Sequence, residues 1–490
     1  IPAPVRAFSL PRRTMPDDSI ALLSVEETVR RVRARELSPV DVLDACMARV
    51  DRFNPQLNAV VTLNPRAREE AEALERRIRA GEDPGPLAGV TVGIKDVTEV
   101  AGVRTTYGSP LFADHVPAHD AWVVERLRAA GAIILGKTNT PEFAAGGNTF
   151  NPVFGRTRNP WNPERSAGGS TGGGAAGLAA GMFGLAQGTD LGGSLRIPAS
   201  FCGIVGLRPS VGLVPTLPQD YLWDTLQVTG VMGRGAGDVA RGLQAVAGAT
   251  DRAPLAQPMA GRDFAATVRD ADARGLRVAY CRDIAGIGID AQIESVCRAG
   301  AFALADAGAA VEEIELDLSY GRPAFLALRG HWFVSQLYPY LDRLEEFGPN
   351  VANNVRAGLS TTVQELAAGE AARRRIWEQF RDFFTRYDLL LTPTMAVPPF
   401  VVEENYPATV GGREMATYVD WIAPTFVLSL TGLPVASVPA GVDAQGMPVG
   451  LQIVAPPRGE EHALAAASLV QRLRPIGLPL DGNAVRTGER

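Results

Sequence analysis

Apolar and polar residues recur with a helical period near the start of the chain. Residues 24–57 contain two such periods joined by a short break. Ser24 followed by Glu27 is a capping-box pattern, which predicts the start of the first helix. Ser38 followed by Pro39 predicts the start of the second helix. The region is therefore predicted to form two consecutive amphipathic helices.

Farther along, short apolar runs alternate with amphipathic segments. Apolar runs rich in β-branched residues predict buried strands, and the periodic segments predict helices. The predicted helices are 67–81, 121–130 and 290–307, and the predicted strands are 89–95, 132–135, 275–280 and 310–316. The strand, helix, strand order over residues 275–316 predicts a parallel crossover, so the pattern indicates an α/β architecture.

One stretch without charge, residues 167–189, is long enough to suggest a membrane span. It has 23 residues, but nine of them are glycine and large aliphatic residues are few. We therefore expect a buried helix behind the functional site, and no membrane partner. Residues 1–18 contain no continuous hydrophobic region of signal-peptide length, and we expect them to be loosely ordered.

Composition limits the classes of partner and cofactor. Over 490 residues the formal net charge is −6 and no basic stripe is visible, so we expect no nucleic-acid partner. The cysteines lack Cys-x-x-Cys spacing, which disfavours zinc and a disulfide framework. They are Cys46, Cys202, Cys281 and Cys297. Reduced thiols in a cytoplasmic monomer or homodimer are the expectation, and no metal or organic cofactor is indicated.

Two Gly-Gly-Ser sequences are the strongest sign of a built site. They place Ser170 and Ser194 24 residues apart, on either side of an Ala/Gly segment. Because glycine has no side chain and tolerates positive φ, each pair lets bare backbone approach whatever the serine contacts.

Lysine is nearly absent from the chain. Of its 48 basic residues only Lys95 and Lys137 are lysines. Unlike arginine, a buried lysine can lose its proton near neutral pH and act as a base. Lys95 ends an apolar, β-branched run, which favours such a role. For Lys137, a structural ion pair and a functional role remain equally open.

Together these residues resemble the amidase signature family. Its Gly-Gly-Ser-Ser-Gly-Gly motif corresponds to residues 168–173, with Thr171 in place of the second serine, and its longer serine motif corresponds to residues 188–199. Further matches cover 147–163, 389–399 and 432–457. The resemblance implies a single α/β domain over residues 19–490, with a large, mixed, mostly parallel sheet between helical layers.

The resemblance also implies a catalytic triad of Lys95, Ser170 and Ser194, with a cis peptide bond between Gly169 and Ser170. The chemistry of the groups agrees, because none of the four histidines stands in a triad context and neither serine in a Gly-x-Ser-x-Gly motif. A neutral lysine can instead take the proton of Ser194 through Ser170, provided that burial lowers the pKa of Lys95.

The turn that precedes the second serine has uncovered backbone N–H groups and is the expected oxyanion hole. The expected donors are the N–H groups of Leu191, Gly192, Gly193 and Ser194. We expect Asp190 and Arg196 to hold this loop rather than to react.

Two aromatic segments are candidates for substrate selection, residues 211–225 and 320–347. A funnel for an apolar or aromatic substrate is one interpretation, and ordinary core packing is the other. An anilide, an aryl-alkyl amide or a carbamate (urethane) would suit such a pocket.

Three alternatives remain open from the sequence. The first is the glutaminase subunit of a tRNA-dependent amidotransferase, which needs an acid for the ammonium group of glutamine, and Asp420 is the nearest one. The second is a thiol enzyme that uses Cys202. The third is a phosphate cradle at residues 168–177, although this segment lacks the Gly-Lys-Ser/Thr ending.

Overall fold

The apolar runs assemble into an eleven-stranded sheet in the computed structural model of the chain, which describes residues 18–259 and 261–480. The strands are β1 (Val60–Leu63), β2 (Thr91–Lys95), β3 (Ile133–Thr138), β4 (Phe150–Asn151), β5 (Gly155–Arg156), β6 (Leu185–Asp190), β7 (Val205–Arg208), β8 (Val228–Gly233), β9 (Arg277–Tyr280), β10 (Ala310–Glu313), β11 (Leu389–Pro393), β12 (Thr409–Val410), β13 (Arg413–Glu414), β14 (Val435–Val442) and β15 (Pro448–Val454). β4 with β5, and β12 with β13, form separate small sheets.

Helices flank the sheet and contribute to its hydrophobic core. They are α1 (Asp18–Ala21), α2 (Val25–Arg33), α3 (Pro39–Leu57), α4 (Ala67–Arg79), α5 (Trp122–Ala129), α6 (Gly172–Ala179), α7 (Arg196–Cys202), α8 (Ala236–Val246), α9 (Phe264–Arg269), α10 (Ala291–Asp306), α11 (Arg322–Gln336), α12 (Pro349–Ser360), α13 (Val363–Arg386), α14 (Ala423–Ser429) and α15 (Glu460–Leu473).

The strand order is β1-β3-β2-β6-β8-β7-β14-β15-β11-β9-β10, which confirms the expected α/β fold with a large mixed sheet. Parallel pairing joins β3 with β2, β2 with β6, β11 with β9 and β9 with β10. The remaining six neighbouring pairs of the described sheet are antiparallel. The sheet is thus less parallel than expected, because antiparallel strands such as the β14–β15 hairpin occupy its centre.

The parallel pairing of β2 with β6 positions the candidate site. Its register pairs Val92 with Leu185 and Ile94 with Gln187. Parallel strands end at the same edge of a sheet, so Lys95 at the end of β2 and Asp190 at the end of β6 lie at one edge. In open α/β sheets this carboxyl edge is the usual place for a ligand site.

Residues 167–189 contain less helix than expected. The buried helix α6 has eight residues and stops before Gly181, whose φ of 69° is left-handed. The chain then continues as the buried strand β6 between β2 and β8. The expected buried helix is therefore present, but it covers only Gly172–Ala179 of this stretch. Among the described residues, no helix is long and apolar enough to cross a membrane.

The predicted helix starts near the beginning of the chain are present, with one difference. Ser24 Oγ accepts a hydrogen bond from the N–H of Glu27 at 3.1 Å, and Ser38 caps α3. The carboxylate of Glu27, however, binds Arg30 and Arg31 instead of returning to the backbone of Ser24. The two guanidinium groups thus bind the carboxylate that would otherwise accept the backbone N–H of Ser24 and complete the capping box.

The other predicted helices and strands occur with ends shifted by a few residues, as α4, α5, α10, β2, β3, β9 and β10. The parallel pairing of β9 with β10 confirms the predicted crossover. The expected loose extension at 1–18 falls outside the described residues apart from Asp18, which begins α1.

Candidate active site

The sheet buries Lys95 completely at the end of β2. Its Nζ donates hydrogen bonds to Ser170 Oγ at 2.7 Å and to Thr189 Oγ1 at 3.0 Å. Burial lowers the pKa of Lys95 to about 7, although the charge of Asp190 opposes this shift. An amine with this pKa is neutral at mildly alkaline pH, so it can accept a proton.

Backbone contacts bring the two glycine-serine loops together. Ser170 is fully buried, and the peptide bond between Gly169 and Ser170 is cis, as the resemblance implied. The next residue, Thr171, donates its backbone N–H to the carbonyl oxygen of Ser194 at 3.3 Å. Ser194 itself is only partly buried. The structure therefore brings the backbone of Ser194 next to the loop that carries Ser170, whose hydroxyl contacts Lys95.

The carboxylate of Asp190 holds the turn between β6 and α7. It accepts hydrogen bonds from the N–H groups of Gly193 at 2.9 Å and Leu195 at 3.2 Å. Two nitrogens of Arg196 bind the same carboxylate, each at 3.0 Å. Burial alone would raise the pKa of Asp190, but Arg196 and Arg208 hold it well below its usual range. The buried carboxylate thus stays ionised and organises the turn.

The turn differs from expectation at Gly193. Its N–H is directed at Asp190, whereas the N–H groups of Leu191, Gly192 and Ser194 have no hydrogen-bond acceptor among residues 18–259 and 261–480. Gly193 has φ 130°, and a Cβ there would lie 2.3 Å from the hydroxyl oxygen of a threonine in α14. Only glycine fits this position, and three of the four expected donors remain available.

Sequence reasoning missed Arg208 and Thr189. Arg208 is fully buried and donates to the carboxylate of Asp190 at 3.2 Å and to the carbonyl of Leu226 at 2.8 Å. Burial lowers the pKa of Arg208 to about 10, which leaves it charged. The signals were present: Arg208 is the one charge in the apolar run 202–209, and Thr189 precedes Asp190 in the serine motif.

A cavity of about 370 Å³ reaches the candidate site at Thr189, the residue that also binds Lys95. An aromatic wall of the cavity is formed by rings that contact one another, those of Tyr107, Phe112, Phe143 and Tyr340, and Trp332 also lines the cavity. The rings of Tyr107 and Phe143 stack with centroids 5.6 Å apart. Residues 215–220 and 332–340 contribute to the lining, so both predicted pocket segments border this cavity.

Three residues that line the cavity have left-handed backbone. They are Tyr107 (φ 53°), Phe143 (φ 45°) and Ala144 (φ 59°). Non-glycine residues adopt this conformation at an energetic cost, and such positions cluster at functional sites. A hydrogen bond from the N–H of Phe143 to the carbonyl of Tyr107, at 2.7 Å, connects two of them.

The amidase family model matches residues 41–464. The chain belongs to the amidase family. An acylamidase of Rhodococcus erythropolis is 34% identical over 470 residues, which covers 94% of this chain and 97% of that protein. A glutamyl-tRNA(Gln) amidotransferase subunit from Carboxydothermus hydrogenoformans is 36% identical over 472 residues, with coverage of 91% and 96%. A solved bacterial aryl acylamidase of the amidase signature family has a TM-score of 0.86 at 28% identity, with coverage of 92% and 96%.

Within this amidase-family chain, Asp420 is already engaged. Its side chain accepts hydrogen bonds from Arg322 Nε at 2.8 Å and from the backbone N–H of Thr417 at 2.8 Å. It does not line the cavity beside Thr189. The acid considered for glutamine recognition is therefore occupied by the protein itself.

The other sequence candidates also lie outside the candidate site or lack the chemistry. Cys202 is fully buried, and burial raises the pKa of its thiol well above the usual range, which does not suit a nucleophile. Lys95 lies near the segment 168–177, since it contacts Ser170, but a lysine with a pKa of about 7 is a weak anchor for phosphate. In the part of the chain described, no group of three or more His, Cys, Asp or Glu could hold a metal ion.

Proposed function

We propose that the protein is a serine amidohydrolase in which Ser194 is the nucleophile, Ser170 relays the proton and Lys95 is the base. The observation that carries the proposal is the state of Lys95, which is fully buried, 2.7 Å from Ser170 Oγ and shifted in pKa to about 7. A serine hydroxyl is a weak nucleophile and needs such an adjacent base.

In the first step Ser194 Oγ attacks the carbonyl carbon of the amide. Its proton passes to Ser170 Oγ, while the proton of Ser170 passes to Lys95 Nζ. The tetrahedral intermediate then collapses and the C–N bond breaks. The leaving amine takes a proton from Ser170 Oγ, and Lys95 Nζ returns a proton to Ser170. The products of this step are a free amine and an acyl-serine.

The negative oxygen of the intermediate needs preorganised donors. We assign this role to the backbone N–H groups of Leu191, Gly192 and Ser194, because the N–H of Gly193 is committed to Asp190. Loss of one such donor typically costs about 3 kcal/mol of transition-state stabilisation. The oxyanion hole also depends on the side chains that hold the turn between β6 and α7, which are those of Asp190, Arg196 and Arg208.

Water completes the reaction by the same route in reverse. It attacks the acyl carbon while its proton passes to Ser170 and the proton of Ser170 passes to Lys95. The carboxylic acid then leaves, and Ser194 Oγ regains a proton from Ser170, which takes one back from Lys95. A carbamate fits the same scheme if its C–O bond breaks: an alcohol leaves with the proton from Ser170, and water releases a carbamic acid from the carbamoyl-serine, which loses carbon dioxide to give an amine.

We propose that the substrates are aryl or apolar amides, with carbamates as a further class. The aromatic wall of the cavity supports this assignment, as large flat side chains pack well against aromatic substrates. The acylamidase and aryl acylamidase relatives support it as well.

A glutaminase subunit is the second candidate, favoured by the similarity to the glutamyl-tRNA(Gln) amidotransferase protein of Carboxydothermus hydrogenoformans. The engagement of Asp420 by Arg322 and Thr417 weighs against it. Glutamine turnover with and without the other amidotransferase components separates the two candidates.

The test is a hydrolysis panel with an aryl amide, a para-nitroanilide, an aryl carbamate, an ester and free glutamine. We expect turnover of the anilide or carbamate, and loss of about 10⁶-fold in kcat for Ser194→Ala. The exposed serine variant Ser360→Ala is the control and should keep full activity. Substantial turnover by Ser194→Ala, or turnover of glutamine alone, would contradict the proposal.

A further inference from the structure

The cavity beside Thr189 has a distinctive charge composition. The chain has 48 basic residues, yet across the described ranges no arginine or lysine lines this cavity. The acids Glu99 and Asp220 do line it, the first with a side chain 22% exposed and the second at an exposed position. A ligand carboxylate would therefore meet like charges and lack a permanent cation to pair with.

Two glutamines that line the cavity, Gln219 and Gln336, have buried amide oxygens without a hydrogen-bond partner within the described residues. The Nε2 of Gln219 donates a hydrogen bond to the carbonyl of Tyr221. A buried acceptor without a partner is unfavourable, so a ligand N–H group that reaches either oxygen when the glutamine side chain turns toward the cavity gains binding free energy.

Glu99 joins these polar groups to the aromatic wall. Its Oε1 accepts a hydrogen bond from the hydroxyl of Tyr107 at 2.8 Å, and His115 Nε2 lies 3.5 Å from the same oxygen. Tyr107 in turn stacks on Phe143. A cation at this point can face both a carboxylate and aromatic rings.

The geometry points to a substrate whose buried part is an aromatic ring carrying an N–H or ammonium donor, and to exclusion of substrates with a carboxylate there. This inference rests on the proposed function, because it treats the occupant of the cavity as part of the amide substrate. It adds a class of substituent that the proposed function leaves open.

Binding of small fragments to the Ser194→Ala protein tests the inference directly. Benzylammonium, benzamide and benzoate share the ring and differ in charge and donors. Calorimetry at mildly alkaline pH should show that benzoate binds about tenfold or more weakly than benzylammonium, with benzamide also tighter than benzoate. Equal affinities for the three fragments, or no binding of benzylammonium, would overturn the inference.

Three variants locate the cause of the selectivity. Glu99→Gln should reduce the ratio of benzylammonium to benzoate affinity about fivefold or more. Asp114→Asn, an exposed carboxylate outside the cavity, removes the same charge and should leave the ratio unchanged. Gln336→Met should weaken benzamide more than benzylammonium, which provides an independent readout if Glu99→Gln fails to fold. An unchanged ratio in Glu99→Gln, or an equal change in Asp114→Asn, would contradict the inference.

Turnover of a neutral para-nitroanilide by the native protein separates the two proposals. Turnover combined with equal fragment affinities would overturn the inference alone. Fragment selectivity without turnover of any amide would support the ligand class and overturn the proposed function.

Discussion

The two lysines of the chain lie on neighbouring parallel strands but in different surroundings. The register pairs Lys95 with Thr138 and Ile94 with Lys137, so the two side chains leave opposite faces of the sheet. Both are fully buried. Lys95 donates hydrogen bonds to the hydroxyls of Ser170 and Thr189. Lys137 also donates to a hydroxyl, Thr105 Oγ1 at 2.8 Å, but it lies in addition 3.7 Å from the carboxylate of Asp96.

Burial acts on both lysines, and the neighbouring groups decide the outcome. Burial lowers the pKa of Lys95 to about 7 and that of Lys137 to about 8, and for Lys137 the carboxylates of Asp96 and Glu99 oppose the shift. The carboxylate beside Lys137 favours its protonated form, so Lys137 keeps its charge to a higher pH than Lys95 does. The hydroxyls beside Lys95 leave a base that can be neutral at the working pH.

Of the changes that test this comparison of the two lysines, replacing Lys95 should have the largest effect. Lys95→Arg and Lys95→Met should both lose about 10²–10⁴-fold in kcat/KM, because neither side chain can accept a proton. Steady-state hydrolysis of an aryl amide measures the loss. Near-normal activity of Lys95→Arg would show that charge alone suffices and would remove the contrast with Lys137.

Replacing Lys137 should instead affect stability. Lys137→Met should lower the free energy of unfolding by about 3–5 kcal/mol, since it leaves Asp96 buried without its cation. Urea denaturation measures the change. The double variant Lys137→Met/Asp96→Asn is the control and should recover most of the loss. If the double variant were as unstable as the single one, the ion pair would not be the cause.

The pH dependence of activity should follow Lys95 alone. Because the neutral amine is the base, kcat/KM should rise about tenfold per pH unit below the pKa of Lys95, which is about 7, and level off above it. In Lys137→Met the acid limb should stay at the same pH. A limb that moves with Lys137, or activity that falls as pH rises through 7, would contradict the assignment of the base.

The smallest effect concerns the hydroxyl that Thr189 presents to Lys95. Thr189→Val removes an acceptor that favours the charged ammonium, so the pKa of Lys95 should fall and the acid limb should move to lower pH. The plateau of kcat/KM should drop by about tenfold or less. A pH-rate profile measures both changes, and a limb displaced to higher pH would contradict this account.

Much of this arrangement was predictable from local signals. The run that ends at Lys95, the helix starts at Ser24 and Ser38 and the β9–α10–β10 crossover depend on short-range periodicity, and each is present. The sheet's antiparallel centre and the short α6 were not predicted, because pairing between distant strands overrides local pattern.

The candidate site was likewise predictable only in part. The Gly-Gly-Ser motifs identify Ser170 and Ser194 directly. The role of Arg208 and the commitment of the Gly193 N–H to Asp190 depend on the exact path of the turn after β6. Sequence spacing sets which donors are near one another, but not which acceptor each donor meets.

The sequence by itself determined the fold class, the strands that end at the site and the residue types that could act there. The tertiary structure decided the chemical state of those residues. A pKa depends on burial, nearby charges and hydrogen bonds, which for Lys95 include the charge of Asp190 at the end of β6 and the hydroxyl of Ser170 before α6. The cavity likewise combines Glu99, Gln219 and Gln336 from three distant segments. Only folding brings such groups into contact, so their joint chemistry is a property of the structure.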